Sequence, residues 1–207
     1  MRKRPSILFL TNNENSQDLF LWLKEKNEHV YLINKKINFE IVKAYSPEIM
    51  ISFNYKYIIS KDIIELMQGR IFNLHISLLP YNRGASPNFF SFIENTPKGV
   101  TIHQIDEGLD TGPILVQKEL FFDESKETFA SSYEKLMHEI QVLFKENWST
   151  IMNKNYQLHA QSRGGGGTFH TINDFKQIYE RCPFRWSDNI SSYKKKLEVF
   201  NGKGGNL

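Results

Sequence analysis

Four short apolar runs, each followed by a segment with helical spacing, constrain this chain more than any other feature. The runs are Ser6-Ile7-Leu8-Phe9-Leu10-Thr11, His29 to Ile33, Ile49 to Phe53 and Arg70 to Ile76, and they read as buried strands. Between them, Gln17 to Lys26 carries Leu19, Phe20, Trp22 and Leu23 on one helical face, and a short helical segment spans Phe39 to Tyr45. Ile63, Ile64 and Met67 stripe a helix that Ser60 N-caps and Gly69 stops. Pro87 opens a further helix bearing Phe89, Phe90, Phe92 and Ile93. Strands follow at Gly99 to Gln104 and Pro113 to Gln117, then a long helix from about Lys126 to Met152 with Phe129, Tyr133, Leu136, Ile140, Leu143 and Phe144 at three- and four-residue spacing. Strands alternating with helices predict an α/β fold: a mostly parallel sheet with helices on both faces. Ligands of such sheets bind outside the carboxyl ends of the strands.

At 207 residues the chain holds one good core, and 1–152 is expected to form it. Residues 153–207 read as a short, partly irregular C-terminal extension with a flexible glycine loop at Gly164 to Gly167 and poorly ordered last residues. From Arg163 onward there are eight Lys or Arg against four Asp or Glu, so the tail carries about +4 of a chain whose net charge is +3. That charge is too small to indicate nucleic acid, and Lys194-Lys195-Lys196 reads as a solvated face. Nowhere do about 18 apolar residues run together, so no membrane helix is expected. Ile7 to Leu10 is too short for the core of a signal peptide. A single cysteine, Cys182, excludes an intramolecular disulfide and fits a cytoplasmic protein. It reads as an incidental thiol.

The chemistry concentrates in Phe72-Asn73-Leu74-His75-Ile76-Ser77-Leu78-Leu79-Pro80-Tyr81-Asn82-Arg83-Gly84 and in Ile105-Asp106-Glu107-Gly108-Leu109-Asp110-Thr111-Gly112. A strand that alternates places Asn73 and His75, two residues apart, on one face. Asp110 follows in a glycine-punctuated loop and can approach from the side. An amide, an imidazole and a carboxylate suffice to move an acyl group between nitrogens. Donors on Asn73 and His75 would stabilise an oxyanion, and Asp110 would orient the imidazole and relay protons. His103 alternates onto a strand and is read, with His29, His138, His159 and His170, as structural or surface.

In these motifs the chain resembles the formyltransferases that use N10-formyltetrahydrofolate. The resemblance runs over roughly residues 6 to 152, and its specific part is Asn73-Leu74-His75, Ser77-Leu78-Leu79-Pro80, Arg83-Gly84, Pro87 and Gly99-Val100-Thr101-Ile102-His103 leading to Asp110-Thr111-Gly112. It implies the Rossmann-like formyltransferase fold, Asn73, His75 and Asp110 as catalysts, no metal, and N10-formyltetrahydrofolate as co-substrate. The folate would be held by main-chain groups of Tyr57, Ile58 and Ile59 and of Asp106, Glu107, Gly108 and Leu109, with Leu79 beside them. Leu79-Pro80 is a candidate cis peptide. Tyr81, Arg83, Ser86, Asn88 and Lys98 are candidate substrate contacts; Arg83 and Lys98 would reach a diphosphate, or be plain surface charges. Tyr81, Phe89, Phe90 and Trp186 are candidates for stacking on a base, with core packing the alternative for the phenylalanines.

The acceptor is narrowed by departures from the family's other branches. The turn Thr11 to Ser16 lacks the glycines of the glycinamide ribonucleotide branch's phosphate cradle. About 55 residues follow Met152, too few for the tRNA-binding domain of the methionyl-tRNA branch. Gly166-Gly167-Thr168-Phe169-His170 with Asp174-Phe175 is similar to a segment of the sugar-nucleotide enzymes. Ala85 replaces a second arginine of the lipid A-modifying relatives, which points away from a sugar acid. The expectation is an N-formyltransferase acting on a nucleotide-linked amino-dideoxy sugar, a UDP-4-amino-4,6-dideoxy-N-acetyl sugar for bacterial surface glycans, with methionyl-tRNA and glycinamide ribonucleotide as alternative acceptors. No nucleic acid or membrane partner is expected, and a homodimer stays open. A binding module that keeps the fold without the chemistry is the rival reading; intact Asn73, His75 and Asp110 argue against it.

Overall fold

A computed structural model describes residues 6–27, 29–161 and 167–203. The elements in chain order are β1 (Ile7–Leu10), α1 (Gln17–Lys26), β2 (Val30–Ile33), α2 (Phe39–Tyr45), β3 (Ile49–Phe53), α3 (Lys61–Met67), β4 (Ile71–His75), β5 (Arg83–Gly84), α4 (Pro87–Ile93), β6 (Gly99–Gln104), β7 (Ile114–Glu119), α5 (Phe129–Met152), β8 (Phe169–His170), α6 (Ile172–Arg181) and α7 (Ile190–Lys203). Six strands form one sheet in the order β2-β1-β3-β4-β6-β7, and β5 pairs with β8 in a two-stranded piece. β1, β2, β3 and β4 pair in parallel, whereas β6 runs antiparallel to β4. The mostly parallel, Rossmann-like sheet expected from the sequence is the observed one. Among the described residues no helix is long and apolar enough to cross a membrane.

The chain divides into two compact units. The first comprises Met1–His75, Thr101–Val116 and Ile140–Gln161. Its strands are short and apolar because both faces are covered. On one face, Leu8, Leu10, Met50 and Ile71 pack with Ile37, Val42, Ile59, Ile63 and Met67. On the other side of the pleat lie Phe9, Ile51 and Phe72, all fully buried. Aromatic contacts in this unit join Phe9 to Phe20, Trp22 to Phe144 and Trp148, and Phe72 to Tyr156. Helix α3 starts after Ser60 as expected, but the Ser60 side chain makes no capping bond, and Gln68, in the left-handed region ahead of Gly69, ends it.

The second unit comprises Ile76–Val100, Gln117–Glu139 and Ser162–Leu207. It contains two helices of the C-terminal extension, α6 over the stretch Asp174 to Tyr179 that reads as helical in the sequence, and α7 beyond it. Helix α6 is opened by a capping box in which Thr171 and Asp174 exchange bonds. Helix α7 places Ile190 and Tyr193 in a buried cluster with Phe89, Phe90, Phe92, Phe129, Cys182 and Phe184. Phe89 and Phe90 are therefore core side chains, and Cys182 is buried with its carbonyl accepting the Tyr193 hydroxyl at 2.6 Å. Lys194, expected on a solvated face, binds Glu124 at 2.6 Å. Of the glycine loop and the terminal residues, Gly164 to Gly166 and residues 204–207 lie outside the described residues.

If the tail is integral to this core, truncating Phe184 must cost as much as truncating Phe129 of α5, which packs on Phe89 of α4. Phe184→Ala and Phe129→Ala are each expected to destabilise the protein by about 3–5 kcal/mol, read from urea denaturation. A near-zero effect at Phe184 would mean that the tail is dispensable to the fold.

Candidate active site

Strand β4 carries Ile71, Asn73 and His75 on one face of the pleat, and the antiparallel register sets Asn73 opposite His103 and His75 opposite Thr101. Phe72 and Leu74, on the opposite face, are buried, so the register that satisfies the core also fixes where the polar pair projects. Asp110 enters from the loop between β6 and β7 with φ +54°, a left-handed conformation that Asp tolerates better than most side chains.

That loop is held by specific bonds. Asp106 Oδ1 accepts from the Gly108 amide at 3.1 Å and from the Thr111 hydroxyl at 2.7 Å. Gly112 is required because a Cβ there would lie 1.9 Å from the Gln104 carbonyl oxygen. Gln161 donates its two amide protons to the carbonyls of Asp110 and Gly112, both at 2.8 Å. Gln161, which carries no motif or periodic signal, thus clamps the acid's backbone.

The result is a compact polar cluster. Asn73 Nδ2 donates to Asp110 Oδ1 at 3.1 Å and lies 3.3 Å from His103 Nε2. His103 Nε2 is 3.4 Å from Asp110 Oδ1, and His75 Nδ1 is 3.6 Å from Asp110 Oδ2. The two imidazole rings meet edge to face with centroids 6.2 Å apart. All three ionisable side chains are at most 11 % exposed. Asn73, His75 and Asp110 are brought together, and His103, read as structural from the sequence, joins them. The signal for His103 was the register: only the reversed strand places it across from Asn73. Among the described residues no group of His, Cys, Asp and Glu is arranged to hold a metal ion.

The loops assigned to the folate frame the same unit. Tyr57, Ile58 and Ile59 follow β3, and Lys61 beyond them pairs with Glu107 of the Asp106–Leu109 segment at 2.8 Å. Ile58 is 79 % exposed and Leu109 49 %, while Ile59 is packed into the core. The turn after β1 is a capped one: Asn13 accepts from the Asn15 amide, and Asn12 bridges to the Asn34 carbonyl and the Lys56 amide.

The remaining candidates belong to the second unit. Leu79-Pro80 is cis, and the buried Leu79 receives a bond from Gln117 on its carbonyl at 2.7 Å. The Tyr81 carbonyl accepts from the Ser77 hydroxyl. Arg83 and Gly84 pair with Phe169 and His170, and Ser86 takes a left-handed φ of +51° before α4. Two candidates have internal partners. Asn88 is buried, donating to the Phe129 carbonyl and accepting from Ser132, so its amide serves packing. Lys98 is committed to Glu124 at 3.4 Å and lies over the Phe92 ring; burial pushes its amine below the usual lysine range. His170 stacks on Phe90 and bonds Glu94 at 3.1 Å.

The fold thus brings an amide, two imidazoles and a carboxylate to one point. Residues 7–145 match the model of the formyl transferase family, and the chain belongs to that family. It is 36 % identical over 139 residues to a dTDP-4-amino-4,6-dideoxyglucose formyltransferase of Mycobacterium bovis, covering 67 % of this chain and 56 % of that protein. It is 29 % identical over 187 residues to a methionyl-tRNA formyltransferase of Thermotoga maritima, covering 87 % of this chain and 58 % of that one. The chain thus spans a little over half the length of these curated relatives. Among solved structures it is similar to the formyltransferase PseJ of Anoxybacillus kamchatkensis in complex with UDP-4,6-dideoxy-4-formamido-L-AltNAc and tetrahydrofolate. The TM-score is 0.82 and the identity 36 %, over 91 % of this chain and 97 % of that one.

Replacing Gln161 by the similarly sized Leu strands two carbonyls of the Asp110 loop. Gln161→Leu is expected to cost on the order of 1–3 kcal/mol in denaturant titrations and to speed amide hydrogen exchange across residues 106–112. Unchanged exchange in that loop would show that Gln161 does not hold it.

Proposed function

We propose that this chain transfers the formyl group of N10-formyltetrahydrofolate to the amino group of a nucleotide-linked amino-dideoxy sugar, a UDP-4-amino-4,6-dideoxy-N-acetyl sugar, in bacterial surface glycan synthesis. The carrying observation is the cluster of Asn73, His75, His103 and Asp110 on β4, β6 and the loop beyond. The acceptor is supported by the Anoxybacillus relative, which is matched over nearly its whole length and was solved with a UDP-linked formamido sugar and tetrahydrofolate. The reading assigns the protein to the cytoplasm, where the free thiol of Cys182 stays reduced, and gives it no nucleic-acid or membrane partner.

The chemistry follows from the donors present. The sugar amine attacks the formyl carbon, a C–N bond forms, and negative charge gathers on the formyl oxygen. Asn73 and a protonated His75 are the donors that would meet it, in a site where little water competes. The bond from that carbon to the folate nitrogen then breaks, and the proton lost by the amine ends on that nitrogen. Asp110, facing both imidazoles, stabilises whichever carries the proton. The co-substrate supplies an already activated formyl group, so these residues need only bind, orient and move protons. Exposed apolar Ile58 and Leu109, on loops tied by Lys61 and Glu107, suit the flat ring system of a folate. In the second unit, Tyr81, Arg83 and Ser86 remain the candidates for the sugar nucleotide.

Incubation with formyltetrahydrofolate and a panel of acceptors tests the reading. The panel holds UDP- and dTDP-linked amino sugars, glycinamide ribonucleotide and charged initiator tRNA. A sugar nucleotide is expected to gain the mass of one CO; formylation of tRNA alone would sink the sugar assignment. Asn73→Ala and His75→Ala are each expected to lower kcat by about 100- to 1,000-fold while thermal unfolding shows a folded protein. Equal activity in both variants would remove them from the mechanism.

A further inference from the structure

We infer that His103 is a positioning residue that controls whether Asn73 has a hydrogen to give. Neutral, its ring holds one N–H of Asn73; protonated, it lets that N–H go. The kinetic consequence rests on the proposed formyl transfer, whereas the hydrogen-bond exchange rests on geometry alone.

His103 is 1 % exposed. Its Nδ1 lies 2.7 Å from the carbonyl oxygen of Gln104, an acceptor with no hydrogen of its own, so Nδ1 must carry the proton. In the neutral ring Nε2 is then a bare acceptor. It faces Asn73 Nδ2 at 3.3 Å and Asp110 Oδ1 at 3.4 Å. Two facing acceptors do not attract, so the neutral ring is satisfied by Asn73. The amide's orientation is fixed by the same reasoning, because its oxygen turned toward an ionised Asp110 would be repelled. Both hydrogens of Asn73 are thereby engaged, one by Asp110 at 3.1 Å and one by His103.

A proton added to His103 reverses the arrangement. Nε2 becomes a donor, turns its hydrogen to Asp110, and can no longer accept from Asn73. One Asn73 N–H is released for an external acceptor, at the moment when charge on a formyl oxygen needs one. The balance is closed: the amine sheds a proton as its bond to carbon forms. The Asp110–His103 pair holds that proton, and it returns to the folate nitrogen as the second C–N bond breaks. Among the described residues His75, on the neighbouring strand, also faces this ring and approaches the far oxygen of Asp110.

Imidazole and side-chain amide NMR on the 15N-labelled full chain tests the exchange without any acceptor. His103 is expected as the Nδ1–H tautomer when neutral, and the Asn73 side-chain amide is expected to shift with the same midpoint as His103. In His103→Phe that component of the Asn73 response should vanish. An Nε2–H tautomer, or an Asn73 amide indifferent to His103, would overturn the inference. In turnover, His103→Phe is expected to lower kcat by about 100-fold or more with KM little changed, and to remove one ionisation from the kcat–pH profile. A wild-type profile and rate in that variant would equally overturn it. Should the wild-type chain formylate no acceptor, the proposed function falls, and the tautomer and the Asn73 titration still decide the role of His103.

Discussion

The antiparallel pairing of β6 with β4 is the constraint on which the site depends. Were β6 parallel like its neighbours, residues of the motif strand would face a different set of partners, and Asn73 would not meet His103. The register itself is enforced by apolar burial rather than by the polar groups. Phe72 and Ile102 are fully buried and Leu74 nearly so, and a slip of one residue would drive all of them to the opposite face. Hydrophobic side chains that take no part in chemistry thus specify the position of the ones that do.

The second constraint is the shape of the loop that returns from β6 to β7. Asp110 occupies a left-handed conformation, which costs a side-chain-bearing residue free energy that neighbouring bonds must offset. Three do so: the Asp106 carboxylate closes the near side, Gly112 lets the loop pass against the Gln104 carbonyl, and Gln161 fastens two carbonyls from outside. The acid is therefore presented by a braced turn. This matters because a carboxylate shared between two imidazoles orients both only if its own position does not wander.

Local signals were legible in the sequence; long-range ones were not. Helices α1 and α2 and strand β3 begin and end where the apolar pattern says, since short-range burial alone defines them. Asn73, His75 and Asp110 were marked by motif, and their convergence followed from alternation and a glycine-bounded loop. His103 was passed over because its role requires knowing which strand lies beside β4 and in which direction, and no local pattern states that. Gln161 carries no periodic or motif signal at all. Helix α7 was hidden for a different reason. Ile190, Tyr193 and Leu197 fall at helical spacing, but Lys194-Lys195-Lys196 between them made the segment look like a solvated face. Long lysine side chains can lie along a helix whose opposite stripe is buried.

The family match ends at residue 145, yet Gln161, Phe169, His170, Phe184 and Tyr193 all lie beyond it. The side chains that would touch the formyl group fall inside the matched region. Some of the supports fall outside it: Gln161 at the Asp110 loop, Phe169 and His170 beside Arg83-Gly84, and Phe184 and Tyr193 in the aromatic core of the second unit. Such a division has a physical logic. The geometry of an amine attacking a formyl carbon is the same whatever the amine is attached to, so the reacting groups are held to one arrangement. The packing that supports them has many solutions and can change with the rest of the chain. The acceptors named for the relatives, a dTDP-linked amino sugar and a methionyl-tRNA, differ in what carries the amine and not in the attack it makes.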